Sequence, residues 1–481
     1  MQKLTKIVAT IGPASDSEAQ IESLIKAGVN VFRFNFKHNT VEWHSERIER
    51  VCAIAKRMEV HVGTLIDLQG PEIRIKLLED TLTIHKGMRI LLDELSYIKE
   101  NHTNGAAFSI SHPSIIPHLK QGQYVVADDG AFEFTLDIKD GRRYLVSQSE
   151  GTLKANKTLN IPGADFPFPV LIDRDMEGLQ LVVRNEIDFI ALSFVRSAED
   201  IRTLRKEMNT MHIDSQIVAK IETKRAIDDL TDIINESDGL MVARGDLAVE
   251  LAREQVPYQQ KQIIRMCLEQ GKFVITATQM LESMITNPYP TRAEVSDIAN
   301  AVFDHTSAVM LSAESAAGKY PLEAVKMMAK TAQYNEQVSD EDVRTTVHFP
   351  ITDQESLLCS AAYELLRSTK TMDMEISGFI ILTETGRTAH LLSRYRPKLP
   401  IFAFCPTSNV AESLTVEFGI VPFVQGATYL KEKEVTGGHV RATLEYLLKH
   451  ALIVSGQRFI VLHGDKWAEV GGTSTVKIVT A

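Results

Sequence analysis

Eight strand-like runs, each followed by a helix-like one, limit this chain to very few folds. The runs are Lys6 to Gly12, Asn30 to Phe36, His61 to Leu68, Phe189 to Val195, Ile217 to Glu222, Gly239 to Leu247, Phe273 to Thr278 and Ala308 to Ser315. Each is short, apolar and rich in β-branched residues, as buried parallel strands are. Between the third and the fourth the alternation stops. Residues 71–167 carry only short runs such as TLTIH, YVVADDG and FEFTLDI, punctuated by Gly and Asp. With that stretch excised, eight β/α units predict a TIM (β/α)8 barrel. A doubly wound sheet would show fewer strands and a Gly-rich fingerprint after the first, and TIGPAS is not GxGxxG.

The expected fold class is α/β with three parts. A barrel spans 1–70 and 168–345, and a small β-barrel lid is inserted over 71–167. After the polar stretch EDVRTTVHFPITDQ, a C-terminal α/β domain with a mainly parallel sheet spans 346–481. A length of 481 residues exceeds one ordinary core and agrees with that division. The net charge of −11 argues against nucleic acid as a partner. Cys52, Cys267, Cys359 and Cys405 lie far apart with no CxxC, which reads as reduced, cytoplasmic thiols. No apolar run approaches about 18 residues, so no membrane partner is expected.

Barrel enzymes place their chemistry at the C-terminal ends of the strands. Polar groups stand there: Arg33 and Asn35 on strand two, Asp67 on three, Ser193 on four, Lys220 and Glu222 on five, Asp246 on six, Thr278 on seven and Glu314 on eight. The stretch from Gln216 to Leu247 is the most telling. Its two apolar runs, IVAKIE and GLMVARGDL, both end in charge. Glu222 and Asp246 suit a divalent metal, and Lys220 suits an anionic substrate beside it.

The motifs KIVATIGPAS, NVFRFNF, DLQGPEIR, LNIPG, SFVR, KIET, MVARGDL, ATQMLESM, PTRAE and YPLEAV occur in order, and LTETGRTAHLLSRYRP continues the series. With these the chain resembles the pyruvate kinases over nearly its whole length. The resemblance implies a homotetramer that transfers a phosphoryl group from phosphoenolpyruvate to ADP, giving pyruvate and ATP in glycolysis. It implies Mg²⁺ (or Mn²⁺) on Glu222 and Asp246. Lys220 and Arg33 would meet the phosphoryl group, and Thr278 would lie near the carbon that takes a proton. Gly245, Asp246, Ser193 and Phe194 would surround the substrate, with Ser312 and Glu314 supporting it. Arg74, Lys157, Asn35 and His38 would face the nucleotide.

One position departs from the family. Its usual second-strand motif reads NFSH, whereas this chain reads Asn35-Phe36-Lys37-His38. In many members that Ser, with the Asn, the Asp after strand three and the next carbonyl, binds K⁺. Here Asn35, Asp67 and Leu68 keep those places and Lys37 does not. An ammonium is close to K⁺ in charge and size, so Lys37 is expected to fill the monovalent-cation site and make K⁺ unnecessary. Members that manage without K⁺ often carry Lys for the Glu of GPEIR and Leu-Gln before it; this chain has Leu68 and Gln69 but retains Glu72, a mixed pattern.

The loop Thr383, Glu384, Thr385, Gly386, Arg387 and Thr388 resembles the family's effector loop and suits a phosphorylated effector, although Glu384 adds negative charge. HGDKWAEVGGTST, with Lys466 and Trp467, resembles a second effector loop. Two other readings are weighed. Another metal-dependent barrel enzyme acting on phosphoenolpyruvate or an oxo-acid would lack the lid and the C-terminal domain. A non-enzymatic regulatory paralogue would have no need to retain Lys220, Glu222, Asp246, Arg33 and Thr278.

Overall fold

A computed structural model describes residues 3–101, 106–164, 166–339, 342–372, 374–424, 438–464 and 471–481. Eight parallel strands close into a barrel: Lys6–Thr10, Val31–Asn35, Gly63–Asp67, Phe189–Leu192, Gln216–Ile221, Gly239–Ala243, Phe273–Ala277 and Ala308–Leu311. Each pairs with its neighbours in sequence order, and the first pairs with the last. The helices between them begin where the chain supplies caps. Ser17 and Thr40 accept from the backbone N–H groups of Gln20 and Trp43, and Thr291 forms a capping box with Glu294.

Two of the expected strands run on into helix. GLMVARGDL is a strand only to Ala243, and a helix over Arg244–Glu250 takes Arg244 and Asp246. AVMLSAES is a strand only to Leu311, and Ala313–Ala316 is helical. In both, the apolar run ends with the strand, at Ala243 and Leu311, and the polar residues after it, expected to close the strand, lie instead in the first turn of a helix.

The lid is a sheet of seven strands with a two-stranded ribbon beside it, around its own core that includes Phe108, Phe134, Leu136 and Leu145. One buried carboxylate ties its two junctions to the barrel. Asp175 accepts from the backbone N–H groups of Gln69 at 2.9 Å and Gly70 at 3.2 Å on the way out, and Ile172 at 3.0 Å on the way back. The C-terminal sheet has strand order Ile420–Val424, Ile401–Cys405, Gly378–Leu382, Arg458–Gly464 and Thr473–Thr480, with only the last antiparallel. All four cysteines are unpaired. Among the described residues no helix is long and apolar enough to cross a membrane.

The C-terminal domain also completes the barrel. The barrel interior is a cluster containing Val8, Val31, Leu65, Val218, Met241 and Met310, and it includes Val416 from the C-terminal domain. Next to it Thr415 comes so close to Gly63 that a Cβ there would lie 2.4 Å from its hydroxyl oxygen, so Gly63 is needed for the approach. Leu4 O accepts from Gly419 N–H at 2.9 Å, and Arg396 donates to His305 O at 3.0 Å and Ser307 Oγ at 2.8 Å. Beside this seam Asp188 accepts from Thr64 N–H at 2.7 Å and Thr64 Oγ–H at 2.8 Å. Burial, helped by the nearby Glu412, pushes its carboxyl up to about 7.

Two outcomes are expected at this seam. Val416→Ala should lower stability by about 2 kcal/mol in urea unfolding, since it removes methyl groups that fill the barrel base. For Asp188, the unfolded chain ionises first, near pH 4. Its penalty on folding therefore grows up to about pH 7 and persists above it. Asp188→Asn, which keeps an acceptor for Thr64, should raise the melting temperature by about 2 °C at alkaline pH. Near the unfolded-state pKa it should have little effect.

Candidate functional site

The C-terminal rim of the barrel gathers charge that a protein interior rarely holds. Lys220, near the end of strand five, has an ammonium 2.8 Å from Glu222 Oε1 and 3.0 Å from Asp67 Oδ1, and it donates to Ser193 Oγ at 2.8 Å. Its side chain is 12% exposed, Asp67's 1% and Glu222's 2%. Burial alone would lower the lysine pKa. Asp67, Glu222 and Asp246 outweigh it and hold the ammonium above its ordinary value. Arg33, on strand two, lies 2.6 Å from Asp67 through a terminal nitrogen and donates to Thr10 Oγ at 2.9 Å. Burial pushes the Asp67 carboxyl up, but Lys220 and Arg33 hold it below its ordinary value. Burial, then the like charge of Glu222, pushes Asp246 up to about 7.

These groups amount to two cations, Lys220 and Arg33, against three carboxylates, Asp67, Glu222 and Asp246. With Asp246 ionised the formal charge is −1, which would repel an anionic substrate. One divalent cation on Glu222 and Asp246 would reverse the sign. Among the described residues no group of three or more His, Cys, Asp or Glu could hold a metal. Two carboxylates that leave positions for substrate and water fit the hard, partly hydrated Mg²⁺.

The rim is held by strained backbone. Phe194 has φ 55°, Thr278 φ 65° and Gln279 φ 55°, all in the left-handed region, which for a β-branched residue is a genuine outlier. The turn at Phe194 aims its N–H at Glu222 Oε2, at 2.6 Å. The turn at Thr278 brings its hydroxyl to Gly245 N–H, which donates to it at 2.8 Å, and the hydroxyl donates to Ala277 O at 2.7 Å. A Cβ on Gly245 would meet Thr278 only at 3.5 Å, an ordinary contact, so the protein's own packing does not demand the glycine.

The lid side gathers a second set. Lys37 pairs with Glu72, and Arg74 donates to the other oxygen of Glu72 at 2.8 and 2.5 Å. Arg74 also donates to Asn156 O at 2.6 Å, and Lys157 pairs with Asp128 at 2.6 Å. The ammonium on Asp67 is that of Lys220, not Lys37. Asn35 lies beside Asp67 in register and accepts the backbone N–H of Lys37 at 3.3 Å, while Leu68 O accepts from Ser193 Oγ at 2.6 Å. His38 sits on the same loop, its carbonyl accepting from His44 Nε2 at 2.8 Å. A cavity of about 390 Å³ between lid and barrel reaches Glu72, Phe194 and Asp246.

Several residues that build the site carry no motif. Arg174 donates to Phe36 O at 3.3 Å and Asn39 O at 2.7 Å, fixing the loop that carries Lys37 and His38. Asp175, beside it, anchors the lid junctions. The repeated acids of IDRD at a helix start are the only local sign of it. Glu314, expected at the end of strand eight, accepts from the backbone N–H groups of Leu281 at 3.2 Å and Ser312 at 2.8 Å, stitching the rims of strands seven and eight together. In the C-terminal domain, Thr383 Oγ accepts from Gly386 N–H at 3.0 Å, and Thr388 Oγ lies 2.8 Å from Thr473 Oγ. Arg387 is committed to Asp353 at 2.5 Å and to Glu355, and Thr385 is exposed. Lys466 and Trp467 lie outside the described residues.

Two family models match the chain: the pyruvate kinase barrel domain over residues 2–325 and the pyruvate kinase alpha/beta domain over residues 360–479. A pyruvate kinase of Sporosarcina psychrophila is 37% identical over 479 residues, 98% of this chain and 80% of the relative. One of Staphylococcus aureus is 36% identical over 478 residues, with the same coverage. The crystal structure of a pyruvate kinase from Cryptosporidium parvum superposes with a TM-score of 0.89 at 31% identity, covering 100% of this chain and 96% of that one. The chain belongs to the pyruvate kinase family.

Proposed function

We propose that this chain is a glycolytic pyruvate kinase, a phosphotransferase that moves the phosphoryl group of phosphoenolpyruvate to ADP. The observation that carries the reading is the buried Lys220 ammonium, 2.8 Å from Glu222 at the barrel rim with Asp246 beside it. Phosphoryl transfer asks for positioning and charge neutralisation more than for covalent chemistry by the protein. Mg²⁺ or Mn²⁺ on Glu222 and Asp246 would supply Lewis-acid neutralisation of substrate oxygens. Lys220 and Arg33 offer fixed cations to the phosphoryl group in flight. Phe194 and Ser193 shape the wall beside them, and the substrate carboxylate would lie against the turn at Gly245 and Asp246.

After transfer the enolate must gain a proton. Thr278 is suited to relay one: its hydroxyl, turned from Ala277 O toward the substrate, would give its proton to the methylene carbon and take one back from water. The Gly245 N–H that donates to the hydroxyl oxygen stabilises the deprotonated form, which makes an otherwise poor acid better at the task. On the lid side, Arg74, Lys157, Asn35 and His38 would meet the nucleotide. Arg74 and Lys157 would have to leave Glu72 and Asp128 for its phosphates, a change that suits lid closure.

K⁺ independence is the finer part of the proposal. Lys37 supplies a fixed positive charge next to the site, held against Glu72 rather than on Asp67. A phosphorylated effector at loop 383–388 would have to win Arg387 from Asp353 and Glu355. A homotetramer in the cytoplasm completes the reading.

A coupled assay tests it. Pyruvate should form from phosphoenolpyruvate and ADP with Mg²⁺ and stop with excess chelator; no pyruvate with any divalent metal would reject the reading. In buffer free of K⁺ and Na⁺, added K⁺ should change the rate by less than about twofold, and Lys37→Ser should create a K⁺ requirement. Lys220→Met should abolish turnover and also lower stability by about 3 kcal/mol in urea unfolding, because it strands buried carboxylates. Lys220→Arg should recover most of the stability but little of the rate.

A further inference from the structure

Thr278 and Gln279 hold two successive left-handed conformations, and Thr278 is β-branched. Such a backbone persists only where its surroundings over-determine it. The group that does so is Arg244, at the start of the helix Arg244–Glu250 after strand six. It is buried, and all five of its N–H donors are used. Nε donates to Ala277 O at 3.1 Å, and one terminal nitrogen donates to Thr278 O at 2.6 Å and the Met280 sulfur at 2.7 Å. The other meets Asp297 at 2.8 Å and Gln260 Oε1 at 3.4 Å. The fork therefore grips the carbonyls on both sides of the strained residue, and Asp297, on the helix Arg292–Phe303, neutralises it from behind.

We propose that Arg244 is a positioning residue for proton delivery: its guanidinium holds Thr278 in the left-handed conformation that places the hydroxyl on Gly245 N–H. The inference rests on the functional reading of Thr278 above. Its geometry does not. Without the fork, Thr278 loses the partner of its carbonyl and relaxes to an ordinary φ, and its hydroxyl swings away from Gly245. A planar fork with two parallel donors does this; the point charge of a lysine can meet only one carbonyl well. Arg244 precedes Asp246 by two residues, so the test must separate an effect on Thr278 from an effect on the metal.

Arg244→Met and Arg244→Lys are to be compared with the unmodified enzyme by three readouts. The first is Mg²⁺- and ATP-dependent exchange of the pyruvate methyl hydrogens with solvent, which reads proton transfer apart from net turnover. The second is half-saturation by Mg²⁺ and by phosphoenolpyruvate. The third is the crystal structure of the variants.

Exchange and kcat should fall together by about 100-fold in Arg244→Met. Half-saturation by Mg²⁺ and by phosphoenolpyruvate should stay within about threefold. Arg244→Lys, which keeps the charge opposite Asp297, should fall between the two and carries the test if the Met variant does not fold. The variant structures should show Thr278 at negative φ, its hydroxyl beyond hydrogen-bond reach of Gly245. Unchanged exchange, or a Mg²⁺ shift as large as the loss in kcat, would overturn the proposal. So would a variant structure that keeps Thr278 near φ 65° on Gly245. The unmodified enzyme's own exchange tests the functional reading separately, and the crystal structure tests the clamp whether or not the enzyme turns over.

Discussion

The site depends on one buried ammonium. Lys220 is nearly inaccessible, yet it sits among Asp67, Glu222 and Asp246 from three other places on the rim. None of these charges would be tolerable alone at that depth, because desolvation of an isolated ion exceeds what a fold can absorb. Each is tolerable only because the others are present. The barrel brings them together: Asp67 lies level with Asn35 and Ala191, and Lys220 with Met241, so successive strands end at one height with their polar tips converging. Register in a closed barrel is fixed all the way round, which makes the cluster geometrically exact at the expense of stability. The residual negative charge would favour a divalent cation there.

The second constraint is backbone strain at the same rim. Glycine would adopt the left-handed conformations of Phe194 and Thr278 without penalty, but it would forfeit a side chain that the site uses. The strain is held by polar contacts at each turn: Glu222 takes the Phe194 N–H, and Arg244 takes the carbonyls around Thr278. Groups that carry charge for the chemistry thus also hold the loops that present it. A change at Glu222 removes a lysine partner and a backbone anchor at once.

Much of this was legible in the chain. The eight apolar runs, the interruption after the third and the polar residue closing each run were enough for the barrel, the inserted lid and the convergence of polar groups at the barrel rim. Less legible was anything set by contacts distant in sequence. The apolar part of GLMVARGDL ends with the strand at Ala243, but the charges after it read equally well as a strand's polar tip, so Asp246 looked like a strand residue. Lys37 looked like a ligand of Asn35 and Asp67, but Glu72 lies within reach from the first lid junction and claims its ammonium. Arg387 looked free for a phosphate, although Asp353 and Glu355, more than thirty positions earlier, already hold it. In each case motif and spacing identify the group and a partner from elsewhere decides its direction.

Val416 is the extreme case, because it belongs by sequence to one domain and by packing to another. Barrels are usually treated as self-contained, with a base that serves stability. Here the base is closed by residues 415–420: Val416 fills the interior, Thr415 leans on Gly63, and Lys6 reaches Ile420 O at 2.5 Å. The same segment is gripped from its own domain, where Ser393 donates to Phe418 O at 2.8 Å and His390 meets Glu417 at 2.6 Å. Ser393 and His390 lie on the helix that follows the loop 383–388. A shift of that helix therefore cannot leave the barrel floor untouched. The floor packs directly under strands whose upper ends carry Lys220, Thr278 and Arg33. Close-packed interiors transmit such displacements rather than absorb them, so the division into a catalytic barrel and a separate C-terminal domain holds for the chain's topology but not for its mechanics.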